Sequence, residues 1–167
     1  MPPSNSIPVN QTKSEARQVA LRRLDRRECS TGDIAQTLKR KGFSAQVIAE
    51  TVQELVDQKL IDDQKYSRIL VREQTLRGKG PNWIRMKLKA KGIATDRKEV
   101  EALIENAAET SELVVAAGVV ARKYPLACAD PAVARKAIQA LLRRGFSYDV
   151  ARQAILIHRD SPLGEVP

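Results

Sequence analysis

At 167 residues the chain has room for one ordinary domain or a few small ones, and its net charge of +9 predicts attraction to polyanions or to an acidic partner. Only 4% of the residues are aromatic, and the eight glycines and eight prolines gather at element edges and in the tails; this disfavours a turn-rich all-β fold and leaves helices with aliphatic cores. The longest apolar run, LVVAAGVVA at 113–121, is too short to cross a bilayer as a helix.

Residues 1–12, rich in Pro, Ser and Asn, are expected to form a loose tail without a secretory pattern, which points to the cytoplasm. From Ser14 a helical period appears, with Ala16, Val19, Ala20 and Leu24 on one face, and predicts a first helix over 14–28. Ser30 and Asp33 have the spacing of a capping box, with Asp in place of the usual Glu, and open a second helix that runs to Lys41. The third carries the stripe Val47, Ile48, Thr51, Val52, Leu55 and Val56. Asp62 caps a fourth, with Tyr66, Ile69 and Leu70 expected inward. Gly78 and Gly80 bracket a break, and Pro81 stands where a helix tolerates a missing N–H, at its first position. This fifth helix, with Trp83, Ile84 and Leu88, ends at Gly92, and a sixth carries Val100, Leu103, Ile104 and Ala107. Ser111 opens a seventh that ends near Tyr124 and Pro125; its valines suit a strand, but its place in the cycle argues for helix. Asp130 and Pro131 start an eighth that ends at Gly145, and Ser147 caps a ninth with Val150, Ala151, Ala154 and Ile155 inward. Residues 159–167 read as a second loose tail.

One motif punctuates this order. LKRKGFS at 38–44, LKAKGIA at 88–94 and LLRRGFS at 141–147 each close one helix and open the next. The glycine accepts the left-handed conformation that ends a helix, the next apolar residue folds back onto the last turn, and the preceding cations face the negative end of the helix dipole. Gly42, Gly92 and Gly145 stand 50 and 53 residues apart, a period that signals a modular array. The expected fold is all-α, about nine helices in three tandem three-helix repeats at 13–61, 62–110 and 111–158.

Charge is banded along this array. Residues 13–41 hold nine basic against four acidic side chains and residues 72–98 nine against two, whereas 42–71 hold three against five. Two sets of cations are candidate contacts for a polyanion or for an acidic partner. The corner set is Lys39, Arg40, Lys41, Lys89, Lys91, Arg143 and Arg144; the flanking set is Arg22, Arg23, Arg26, Arg27, Arg77, Lys79, Arg85 and Lys87. Ordinary dipole compensation explains a single corner less uneasily than three equivalent ones.

Catalytic chemistry finds little support. The single His158 ends the last helix without a spaced partner, and Asp62–Asp63 are explained as a cap and a first-turn acid. Cys29 and Cys128 stand alone, with no CxxC and no neighbouring His, so reduced thiols in a cytosolic setting are expected. GKG at 78–80 lacks the spacing of a phosphate loop and follows a helix; it is either a structural turn or an anion contact through Lys79. Trp83 is either a core anchor or a stacking platform. The expectations are no enzyme activity, no cofactor, no metal, no small-molecule substrate, no membrane and a monomer.

LKRKGFSAQVI, LIDDQKYSRILVREQ, RGKGPNWIRMKLKAKGI and LLRRGFSYDVARQAI, in this order, resemble the RecX family of recombinase regulators. The likeness runs over about residues 14–157, with Ile93-Ala94 standing where the other corners have Phe-Ser. It implies an elongated all-helical protein that binds the RecA filament on single-stranded DNA and restrains recombinase activity, ATP hydrolysis included. DNA would be a secondary, electrostatic partner. A stand-alone helix-turn-helix DNA binder is the rival reading, but the third helix of repeat one, where base contacts would be expected, carries Glu50, Glu54 and Asp57. A passive helical scaffold for another protein is a third.

Overall fold

The computed structural model describes residues 12–160, with side chains described through Ile157. The two expected tails lie outside it except at their inner ends, and the side chain of His158 lies outside it too. The described elements are all helices: α1 (Lys13–Leu24), α2 (Thr31–Arg40), α3 (Ala45–Asp57), α4 (Asp63–Leu76), α5 (Pro81–Ala90), α6 (Arg97–Ala108), α7 (Glu112–Lys123), α8 (Pro131–Arg143) and α9 (Tyr148–Asp160). The valine-rich seventh segment is helical, as its place in the cycle required.

Local chemistry sets the helix starts. The side chains of Ser30, Ser44, Ser111 and Asp130 each accept a backbone N–H of the first turn they precede. Asp62 and Ser147 do the same for α4 and α9. Thr12, assigned by sequence to the tail, instead caps α1 and forms a full capping box with Glu15, as Asp96 does with Glu99. At the far end α1 stops at Leu24 rather than at residue 28, since Asp25–Glu28 has no apolar side chain to bury. The helix α9 extends to Asp160, two residues into the expected tail.

Two of the repeated corners close by the same pair of bonds. Gly42 N–H donates to Lys39 O and Phe43 N–H to Leu38 O; Gly145 N–H donates to Leu142 O and Phe146 N–H to Leu141 O. This is the Schellman pattern, and both phenylalanines are buried. Gly92 keeps the left-handed backbone at φ 80°, but Ile93 after it is only half-buried.

The chain folds into two compact units. Unit one runs through Tyr66 and takes in Ala90–Ile93. Its core joins Ala16 and Ala20 of α1, Ile34 and Leu38 of α2 and Leu55 of α3, with Cys29, Phe43 and Ile61 from the connections. Unit two comprises Ser67–Lys89 and the chain from Ala94 onward. Its principal core joins Ala116, Val119 and Val120 of α7, Ala137 and Leu141 of α8 and Ala151, Ala154 and Ile155 of α9 around Phe146. In the same unit α5 buries Ile84 and Leu88, and α6 buries Val100 and Ile104. One expectation fails in α4: Ile69 is 45% exposed, and the buried positions are Ser67, Val71, Gln74 and Thr75. Tertiary surroundings turn a mostly polar stripe inward, and the apolar period of that segment misled.

Gly118 lies inside α7, and a methyl group added to it would meet nothing within 4 Å. Gly118→Ala is therefore expected to raise stability by about 0.5–1 kcal/mol, because alanine has less backbone freedom to lose. An upward shift in the urea midpoint at constant m-value would show it.

Candidate polyanion interface

The three corners look alike in sequence but differ in their surroundings. Corner two, Ala90–Ile93, is packed in unit one against the start of α2. A Cβ built on Gly32 would sit 2.2 Å from the Lys91 carbonyl oxygen, so only glycine admits this approach. The Ser30 hydroxyl donates to that same carbonyl at 2.8 Å. The Lys91 ammonium reaches Asp33 Oδ1 at 2.7 Å, and Asp33 is 5% exposed. Burial alone would push the Asp33 carboxyl up. The hydrogen bond and charge of Lys91 outweigh it, helped by the Arg23 guanidinium and the Ser30 backbone, and hold the carboxyl below its ordinary value. Tyr66 is pushed up to about 12 by burial and by its hydrogen bond and proximity to Asp33. Nearby, Asp63 accepts from Thr31 N at 2.9 Å and from Thr31 Oγ1 at 2.6 Å, tying the first residue of α2 to α4.

Corner three repeats the arrangement within unit two. Gly80 N–H donates to Arg144 O at 2.8 Å and Asn82 N–H to Gly145 O at 3.1 Å. The Arg144 guanidinium donates to the carbonyls of Arg77 and Gly78 at 3.2 and 3.1 Å. Gly80 would clash with the Gly145 backbone if it bore a Cβ, as Gly32 would with Lys91. GKG is thus a docking turn: its amides serve Thr75 O, Gln74 O and Arg144 O, and none of the three is left for an anion. Of the seven corner cations, Lys91 and Arg144 hold the fold together.

Corner one differs. Its cations Lys39, Arg40 and Lys41 are exposed. Lys41 joins Arg22, Arg23, Arg26 and Arg27, from the last turn of α1 and the loop after it, around a pocket of about 420 Å³. The sequence placed these residues in two separate sets; the fold brings them together. None of the five forms an ion pair with a carboxylate among the described residues, and the buried Arg23 Nε has no hydrogen-bond partner. Val19 and Thr37 complete the lining and were not foreseen.

The remaining candidates lie in unit two. Lys79 Nζ is 4.4 Å and Lys87 Nζ 5.2 Å from the centre of the half-buried Trp83 ring. Both amines thus gain cation–π contact, and the backbone of Trp83 also abuts Gly145. Arg85 and Lys89 line a pocket of about 350 Å³ with Met86, Ala94 and Thr95. Arg77 pairs with Glu73 one turn back, and Arg143 is exposed. Sequence reasoning missed the docking roles of Gly32 and Gly80. The available signal was a glycine in or beside the first turn of a helix, where a better helix former would ordinarily stand.

Among the described residues no group of three or more His, Cys, Asp or Glu side chains is placed to hold a metal ion, and no helix is long and apolar enough to cross a membrane.

Family models describing RecX match three segments: its first three-helix domain matches residues 16–55, its second 62–96 and its third 111–155. A Halorhodospira halophila protein called regulatory protein RecX is 34% identical over 143 residues, covering 84% of this chain and 87% of its own. A Streptococcus pyogenes protein of the same name is 29% identical over 143 residues, and the chain spans 55% of its length. Among solved structures, RecX from Lactobacillus salivarius superposes with a TM-score of 0.74 at 24% identity, covering 89% of this chain and 97% of that one. A second crystal structure, of a regulatory protein RecX, gives 0.72 at 22% identity over 89% and 72%. At these identities the structural likeness is one of fold.

Proposed function

The chain belongs to the RecX family of regulatory proteins, and from that premise we propose that it binds the RecA filament on single-stranded DNA and restrains the recombinase. One observation carries this reading: the family match runs through all three helical segments, and the relatives it leads to are called regulatory proteins. The recombinase target comes from the family resemblance. The physical chemistry agrees with a binder. Cations left unpaired on a folded surface attract DNA phosphates or acidic protein, and helices of twelve residues, about 18 Å long each, offer extended faces for a polymer. The proposed mode is occupation of the filament groove, which hinders entry of a second duplex and biases the filament against growth. The protein makes and breaks no bond in this mechanism. It acts as a monomer in the cytoplasm, and no cofactor takes part.

The test is ATP hydrolysis and light scattering of recombinase assembled on single-stranded DNA, with and without this protein. Restraint of both by the wild-type chain is expected; unchanged turnover and unchanged assembly would refute the reading. A variant with Lys39, Arg40, Lys41 and Arg143 replaced by Ala, which spares the docking residues Lys91 and Arg144, is expected to need about tenfold more protein for half-inhibition. If that variant is folded and fully active, these exposed cations do not touch the filament.

A further inference from the structure

We propose that the pocket between the ends of α1 and α2 is a phosphate site, taking two or more adjacent phosphates on Arg22, Arg23, Arg26, Arg27 and Lys41. This deepens the filament reading and rests on it only for the origin of the phosphates. The phosphates come from a nucleic-acid strand or from a free oligophosphate.

Charge bookkeeping favours an anionic occupant. Helix ends attract cations, and α1 and α2 both end here, but each end is worth only about half a negative charge. Within the pocket lining, about one negative charge therefore faces five positive ones. Elsewhere in unit one, cations near carboxylates do pair: Lys13 and Arg17 with Glu54, Lys65 with Glu28, and Lys91 with Asp33. Among the described residues, the five pocket cations do not. Asp33 influences Arg23 electrostatically, but its carboxylate is already held by Lys91. Arg26 and Arg27 also border a neighbouring pocket with Asp25, Glu28 and Asp62, again without an ion pair to them.

The donor chemistry narrows the class. The Thr37 hydroxyl donates to Asp33 O at 2.7 Å and Arg22 Nε to Gln18 O at 3.3 Å, so the groups left to bind an anion are the remaining N–H groups of the cations. Four guanidinium forks within six residues match the several oxygens of clustered phosphates, where one carboxylate would satisfy a single fork.

The full-length chain is titrated calorimetrically with pyrophosphate, tripolyphosphate, a short oligothymidylate and, at matched charge, oligoglutamate. The variant R26Q/R27Q removes two exposed forks. The variant R135Q/K136Q removes the same charge from exposed positions on α8 and serves as control. Thermal unfolding verifies that both are folded. R26Q/R27Q is expected to weaken phosphate binding by about tenfold or more, with the control within about threefold of wild type. R26K/R27K, which keeps charge but not the forks, is expected to lie between. Binding of oligothymidylate alone makes a strand the source, and binding of tripolyphosphate that displaces the strand adds the free oligophosphate; either supports the site. Equal loss in both glutamine variants, no binding of any phosphate, or equal binding of oligoglutamate overturns it, the last in favour of an acidic protein surface. No recombinase is present, so failure here leaves the filament reading standing, and failure of that reading leaves this one.

Discussion

Gly145→Ala is expected to destabilise unit two by about 3 kcal/mol or more. Two separate penalties coincide at this position. The backbone sits at φ +91°, where a side chain meets its own carbonyl. The new methyl would also lie 2.3 Å from Trp83 N and 2.6 Å from Trp83 Cβ, at the first turn of α5. Those atoms belong to a helix and do not swing aside like the tip of a lysine. Relief requires corner three to retreat, which stretches the bonds from Gly80 N–H and Asn82 N–H to the carbonyls of Arg144 and Gly145. An orphaned buried donor costs about 1–3 kcal/mol in its own right. Trp83 is the sole tryptophan and lies at the junction, so its fluorescence reports the loss directly. A urea midpoint within about 0.5 kcal/mol of wild type would mean that the corner is not clamped there. Gly118→Ala, with the opposite expected sign, controls for adding a methyl group at all.

The legible parts of this fold are those decided within a few residues. Ser44, Ser111, Asp130 and Ser147 announce helix starts because a cap bonds an N–H two or three positions on. Gly42 and Gly145 announce helix ends because only the left-handed backbone completes those bonds. Docking was not legible. Ser30 meets Lys91 across 61 positions and Arg144 meets Gly78 across 66, and nothing in the local pattern distinguishes a corner that docks from one that stays exposed. The inner face of α4 was misread for a related reason: Gln74 and Thr75 are buried by what surrounds them, and hydropathy alone sends them outward. For the candidate site, charge banding identified the cations, but only the fold separates Lys91 and Arg144, which hold elements together, from Arg22, Arg23, Arg26, Arg27 and Lys41, which gather around one pocket.

Asp33→Ala is expected to cost about 3 kcal/mol at neutral pH, because it strips the partner from a largely buried pair and leaves the Lys91 ammonium against the start of α2. The pH dependence tests the cause. The native carboxyl lies below its ordinary value of 3.8, so its contribution to stability is present above that value and fades as pH falls through the lower, native one. Wild type should therefore lose its advantage over Asp33→Ala on acidification below about pH 4, and the two unfolding curves should converge there. A constant gap down to strong acid would assign the loss to packing or to the N-terminal turn of α2. Lys91→Met separates the partners further. It leaves a charge that is 5% exposed without its main counterion, whereas the lysine side chain, 29% exposed, has a route to water when Asp33 is absent. Burial then dominates at Asp33 and its carboxyl moves upward. Lys91→Met alone should consequently be the more damaging change near neutrality, and combining it with Asp33→Ala should recover part of the loss, giving a coupling energy of about 1–3 kcal/mol.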